Sequence, residues 1–290
     1  MTTLVLALVA LLLAGPVPWL LGRTPALRRT PRAAMTLWQS VALAAVLAAL
    51  GAGLSLVTAH GLGAQESASY AVAAGGLAVT VLVLGRLLLS GHVVGTRLRA
   101  LRRRHSELVD LLSVGDAPFG TRVLPVADAP MAWCLPGVRR ARIVLTEAAV
   151  ERLGADELAA VLAHERAHLR ARHDLVLEAF TVLQHAFPAV LSSRRALAEV
   201  RLLVEVLADR AARQQVGARP LVAALGALTS AGTPEATLGA TDGATLQARL
   251  EVLLDERTHR VQATALFTAA VAVLLLPTLL VVVPWFASLA

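Results

Sequence analysis

The run His164-Glu165-Arg166-Ala167-His168 has residue types and a spacing that could do chemistry. Two His four residues apart on a helix lie on one face, one turn above the other. Both imidazoles can then reach a single metal ion. Zinc held with an open coordination position lowers the pKa of its water, and Glu165, next to the first ligand, can take that proton. The chemistry implied is hydrolysis of a peptide bond by zinc-activated water. The bland alternative is two satisfied His and a surface Glu on an ordinary helix. It fits poorly, because Glu157 to Ala163 is mostly Ala, Leu and Val and reads as buried. A buried helix carrying two His and a Glu must find partners for them.

A catalytic zinc needs a third protein ligand. A third His six residues after His168 would be the simplest, but that position is Asp174 and the intervening Gly is replaced by Ala171. His173 is one residue off and, on a continuing helix, points elsewhere. A carboxylate from a second helix remains, and Glu178, Glu199 and Glu205 are the candidates. Glu205 has Asp209 one turn later on the same face, where it can hydrogen-bond a His ligand and fix its tautomer.

Around this motif the chain predicts a basic helix over 96–112 and β-prone runs at 121–126, 131–135 and 141–146, with a Pro136-Gly137 turn between the last two. A short helix at 147–153 precedes Gly154. The metal-motif helix spans 156–172, and an apolar stretch 175–187 follows, as a helix or a hairpin. A helix then covers 192–215, and the Gly/Thr-rich piece 229–244 reads as a loop.

The rest of the chain reads as membrane. It is 57% hydrophobic over 290 residues, and a bilayer span takes about 20 apolar residues. Candidate spans are 3–22, 36–58, 69–91 and 262–287, the last containing Pro277 and Pro284, which a membrane helix tolerates. Met1-Thr2-Thr3 offers no basic n-region, so the first stretch is read as a retained helix. Arg23, Arg28, Arg29 and Arg32 fill the loop 23–35, the loop 59–68 has no Arg, and most of the remaining Arg lie in 92–261. The positive-inside rule then sets both termini outside and 92–261 in the cytoplasm. Arg86 can snorkel toward the inner surface, and Trp19, Trp38 and Trp285 sit near the membrane boundaries.

The net charge is +7 and every basic residue is Arg. The cluster Arg97, Arg99, Arg102, Arg103 and Arg104 follows a span directly, which favours anionic headgroups over direct nucleic-acid binding. One cysteine, Cys134, permits no intrachain disulfide, as suits a cytoplasmic catalytic segment.

The run from Leu162 to Asp174 resembles the active-site helix of membrane zinc peptidases of the BlaR/MecR type, signal-transducing peptidases related to beta-lactam sensors. Phe187-Pro188 is similar to that family's Phe-x-Pro element. Glu205-Val206-Leu207-Ala208-Asp209 resembles its second motif, and Ala132 to Thr146 the strand pair before the catalytic helix. The resemblance implies an α-helical multi-pass membrane protein with four transmembrane helices and an inserted α+β zincin-like metalloprotease domain. Residues 1–91 would hold three spans, 92–261 the cytoplasmic domain and 262–290 the fourth span. His164, His168 and Glu205 would bind Zn2+, Glu165 would be the general base, and Asp209 would support a ligand. The expected partners are the lipid bilayer of a bacterial cell membrane and a cytoplasmic protein substrate, by resemblance a small DNA-binding repressor. An extended substrate would pair with the edge strand 131–135. The beta-lactam sensors continue past their fourth span into a penicillin-binding domain; the sequence to Ala290 is expected to carry no such sensor, so the resemblance does not imply a beta-lactam response. Alternatives are a quality-control or processing protease like the related HtpX and CAAX-prenyl proteases, or a catalytically silent signalling scaffold.

Overall fold

The computed structural model describes residues 2–61, 67–113, 121–126, 128–137, 141–187, 194–229 and 243–287. Pro188, Arg139, Arg140, most of the 229–244 piece and the side chain of Trp285, all used in the sequence reading, lie outside the described residues. The chain divides into two compact units. One comprises 1–94, 179–200 and 258–290, and the other 95–178 and 201–257. The first thus takes in 179–200 from within the 92–261 segment.

The first unit is helical. Helices α1 (Thr2–Ala14) and α2 (Pro16–Leu21) are two pieces of one apolar stretch, broken where Gly15 meets Pro16, whose ring cannot donate to the turn before it. A 3-10 turn, Pro25–Arg29, leads into α3 (Pro31–Gly61). The long helix α4 (Ser67–Leu112) comes next, and its first part belongs to this unit. The unit closes with α11 (Arg260–Ala287), which runs through Pro277. Among the described residues four helices are long and apolar enough to cross a membrane: Thr2–Leu21, Pro31–His60, Ser67–Leu112 and Arg260–Val283. The third expected span and the expected basic helix at 96–112 are one continuous helix. No Gly or Pro pair interrupts 92–112 (Gly95 stands alone), so the backbone ladder has no reason to stop at the apolar boundary.

Leu13, Leu37, Val41, Ala44 and Ala270 form one core cluster of this unit, and Leu6, Ala48 and Ala52 another. Small residues on α3 admit close neighbours. At Gly53 an added Cβ would lie 2.9 Å from the Gly76 carbonyl oxygen, and at Gly76 it would lie 2.6 Å from Leu56 Cβ. Arg86 donates from Nε to the Ala186 carbonyl oxygen at 2.6 Å, at the last residue of α7 (His173–Ala186). Its guanidinium therefore serves an unsatisfied helix-end carbonyl, in addition to any snorkelling.

The second unit has a three-stranded sheet of β1 (Thr121–Leu124), β2 (Ala132–Leu135) and β3 (Arg142–Thr146) in the order β1-β3-β2. β1 runs parallel to β3, and β2 pairs antiparallel with it, Cys134 opposite Ile143. β3 is central and buried along its whole length, which accounts for its unbroken Ile-Val-Leu core. Thr146 ends it and caps α5 (Glu147–Arg152). Its hydroxyl accepts from Met131 N and Ala149 N and donates to the Ala129 carbonyl oxygen, satisfying a fully buried group.

Helix α6 (Ala155–Ala171) starts at Gly154, whose N–H is taken by Glu157 Oε2 at 3.0 Å. Helices α8 (Arg194–Val216), α9 (Ala218–Thr229) and α10 (Gly243–Leu254) follow. Ala160 and Ala163 of α6 pack with Ala212, Leu221, Leu225 and Leu253 in one cluster. Val161, on another side of α6, packs with Leu145, Ala149, Leu153 and Ala224. α6 is thus gripped on two sides, and its His-bearing face is held still.

Candidate metal centre

His164 and His168 stand one turn apart on α6, and Glu205 comes from α8. Their Nε2 atoms are 3.0 Å apart. Glu205 reaches both, with Oε2 3.4 Å from His164 Nε2 and Oε1 3.5 Å from His168 Nε2. Zinc ligated at about 2.0–2.1 Å by a tetrahedral set has ligand-to-ligand edges of about 3.3–3.4 Å. Two imidazole nitrogens and a carboxylate oxygen at these separations therefore fit a zinc-type ion with shifts of a few tenths of an ångström. These three residues form a group able to hold a metal ion. Glu178 and Glu199, the other candidates from sequence, are engaged elsewhere. Glu178 accepts from Arg102 at 3.2 Å, and Glu199 is paired with Arg28.

The surroundings order the ligands. His164 Nδ1 lies 2.9 Å from Asp209 Oδ1, within ion-pair range, although the angle falls short of a regular hydrogen bond. Asp209 is only 1% exposed. It is gripped by Arg249 of α10, whose Nε and a terminal nitrogen donate to its two oxygens at 2.8 and 2.7 Å. The other terminal nitrogen of Arg249 is 3.3 Å from Glu205 Oε2. One buried guanidinium thus spans both carboxylates, in the fork geometry that suits Arg and not Lys.

His173 belongs to the site, contrary to the sequence expectation. α6 does not continue past Ala171. Arg172 takes a left-handed conformation, φ 51° and ψ 45°, ending the helix there. The turn brings His173 back, and its Nδ1 lies 3.1 Å from His168 Nδ1. One of the two nitrogens donates to the other, so His168 can keep a proton on Nδ1 and present a lone pair on Nε2.

Glu165 is buried beside the His pair, and the Cys134 thiol of β2 donates to its carboxylate. Burial pushes the Glu165 carboxyl up, with the Glu205 carboxylate adding to the effect against His164. Burial likewise pushes the Cys134 thiol up, helped by Glu165. Burial lowers His168 and His173 to about 4, keeping both neutral. His164 differs. Burial disfavours its charge, but Asp209 and Glu205 outweigh that and raise it to about 10 in the metal-free protein. Glu205 has its carboxyl held well down: burial opposes this, and His164, His168 and Arg249 overcome it.

Sequence reading missed Arg249 and Cys134 and rejected His173. The signal for Arg249 was present, since it interrupts an apolar face formed by Leu246, Leu250, Val252 and Leu253. A lone Arg on such a stripe needs a buried acid.

No curated protein and no solved structure matches this chain. Residues 96–224 match the model of peptidase family M48. That stretch contains His164, Glu165, His168, Glu205 and Asp209, and the match supports a metallopeptidase function for it.

Proposed function

We propose that this chain is an integral-membrane zinc endopeptidase that hydrolyses peptide bonds of a cytoplasmic protein. The observation that carries the reading is the approach of His164 Nε2, His168 Nε2 and a Glu205 oxygen to within 3.0–3.5 Å of one another, with Glu165 buried on the same helix.

His164, His168 and Glu205 would hold the ion. When bound, zinc supplies the Lewis acid that activates water and polarises the scissile carbonyl. Glu165 takes a proton from the attacking water and delivers it to the leaving amine. Asp209 and His173 hold the outer nitrogens of the two His, and Arg249 holds Asp209. β2 is an edge strand of the sheet, and its Cys134 faces Glu165. A substrate in extended form would add beside β2 through main-chain hydrogen bonds, bringing a peptide bond to Glu165.

The helices long and apolar enough to span a bilayer support a membrane setting. We assign that membrane to a bacterial cell on the BlaR/MecR-type resemblance, and place both termini outside and the catalytic segment in the cytoplasm on the distribution of Arg. A small DNA-binding repressor is the substrate class suggested by the BlaR/MecR-type resemblance.

The test compares new protein N-termini in cells making the wild-type chain with those in cells making Glu165→Gln. Glu165→Gln is expected to keep its metal and lose at least about 100-fold in cleavage, the contribution of a general base. Termini specific to the wild type would identify the substrate. Equal cleavage by the variant would remove Glu165 from its role, and no cleavage by a metal-loaded wild type would favour a silent scaffold.

A further inference from the structure

The first unit contains a cavity of about 230 Å³ that plays no part in the metal centre. Ala14, Trp38, Ala49, Val83, Phe180 and Leu197 are among its walls, and Gln184 is its one polar side chain besides the Trp38 ring nitrogen. On α3 the lining runs from Trp38 to Ala49. Those residues are 11 apart, about 16 Å along the axis. That is about half of the roughly 30 Å hydrocarbon core, the depth of one leaflet. The cavity is walled by α1, α3 and α4, which have the hydropathy of bilayer spans, and by residues of α7 and α8, which lie outside those spans.

One end of the cavity is basic. Pro18, a lining residue, is followed by Trp19, over whose ring the exposed Arg23 guanidinium lies at 3.7 Å. Next to Arg23, a Cβ added to Gly22 would stand 3.6 Å from Arg195 Cβ and 3.8 Å from Glu199 Cγ. Ala196 and Leu197, beside Arg195, are lining residues. Arg23, Arg28 and Arg195 thus gather at the Pro18 end with one acid, Glu199, which Arg28 already binds. The surplus positive charge sits where a headgroup would lie if a chain followed α3 inward.

We infer that this groove holds an acyl chain of an anionic phospholipid, with its phosphate on Arg23 and Arg195. The surplus Arg at one end suits a phosphate, which an apolar peptide helix does not carry.

Trp38 reports on the site, because it lines the groove and is otherwise 3% exposed. The full chain, with Trp19, Trp133 and Trp285 changed to Phe, is reconstituted in vesicles with phospholipids brominated on the acyl chain. Brominated phosphatidylglycerol is expected to quench Trp38 at an about thirtyfold lower mole fraction than brominated phosphatidylcholine, the scale set by two headgroup-facing Arg. Arg23→Gln with Arg195→Gln is expected to abolish that preference and leave quenching by both lipids. Ala45→Phe is expected to abolish quenching by either, with helical content by circular dichroism unchanged. Equal quenching by the two lipids in the starting protein would overturn the headgroup assignment. Absence of quenching in a protein of unchanged helical content would overturn the groove itself and point to a protein occupant. Neither readout depends on zinc or peptidase activity.

Discussion

At the residue scale, the site is a metal-ready arrangement whose second layer carries as much order as the first. His173 is outside the group of three able to hold the ion, yet its Nδ1 lies 3.1 Å from His168 Nδ1, where it can hold that imidazole with Nε2 free for a metal. His173→Ala is expected to weaken zinc binding by about 10- to 100-fold, the usual cost of losing such a partner. Competition with a chelator measures this. Unchanged affinity would mean that His168 is oriented by packing alone. His164 predicts a pH effect in the metal-free protein. Its folded pKa of about 10 lies above the ordinary value of 6.5. A group raised on folding contributes stability that is fully present below the unfolded pKa and is lost as pH rises through the folded one. Thermal stability of the metal-free protein should therefore fall from about pH 6.5 to about 10. A bound zinc would take the place of the proton on His164 Nε2 beside Glu205, so the loaded protein should lose less over that range. Melting curves with and without chelator decide it, and a rise with pH in the metal-free protein would refute it.

At the scale of elements, two close packings can be tested. One is the seating of α6, with Ala160 and Ala163 against α9 and α10 residues and Val161 against the sheet side. Small side chains there let the His-bearing helix sit close. The other is the crossing of α3 and α4 at Gly53 and Gly76. An added Cβ at Gly76 meets Leu56 Cβ at 2.6 Å and the Gly53 carbonyl oxygen at 2.8 Å, and backbone oxygen has little room to give. Gly76→Val should separate the two helices and cost about 1–3 kcal/mol of stability, as is typical of overpacking, read as a lower melting temperature in detergent. Gly75→Val is the control, since a Cβ there meets nothing within 4 Å. Equal effects at both positions would place the cost in backbone propensity and not in the crossing.

At the scale of the whole molecule, charge is distributed along the chain in blocks. Four Arg lie between Arg23 and Arg32, none between His60 and Tyr70, and a dense run follows from Arg97. The positive-inside rule turns this into a topology that can be checked directly. In a Cys134→Ala background, His60→Cys should react with a membrane-impermeant maleimide added outside intact cells, and Ala26→Cys should react only after the cells are opened. The reverse pattern would turn the protein over and put the peptidase segment outside.

How much of this was legible in the sequence follows from the range of the interactions involved. The pairing of His164 with His168 is a consequence of helical period within five residues. The long apolar helices follow from local hydropathy, since a span is defined by length and composition. The cap at Thr146 and the start of α6 at Gly154 are equally local. The sequence by itself could not choose among Glu178, Glu199 and Glu205 without a family resemblance, because all three sit on plausible helix faces. Packing of α8 against the α6 side, together with the Arg28 and Arg102 partners that occupy the other two, separates them. His173 was misjudged because helix continuation was assumed, and the left-handed turn at Arg172 has no Gly to announce it. Arg249 meets Asp209 across 40 residues of chain, and the order β1-β3-β2 sets which strand is left at the edge. Such long-range encounters depend on how buried surfaces and buried charges find one another in three dimensions, which no local pattern of residue types contains.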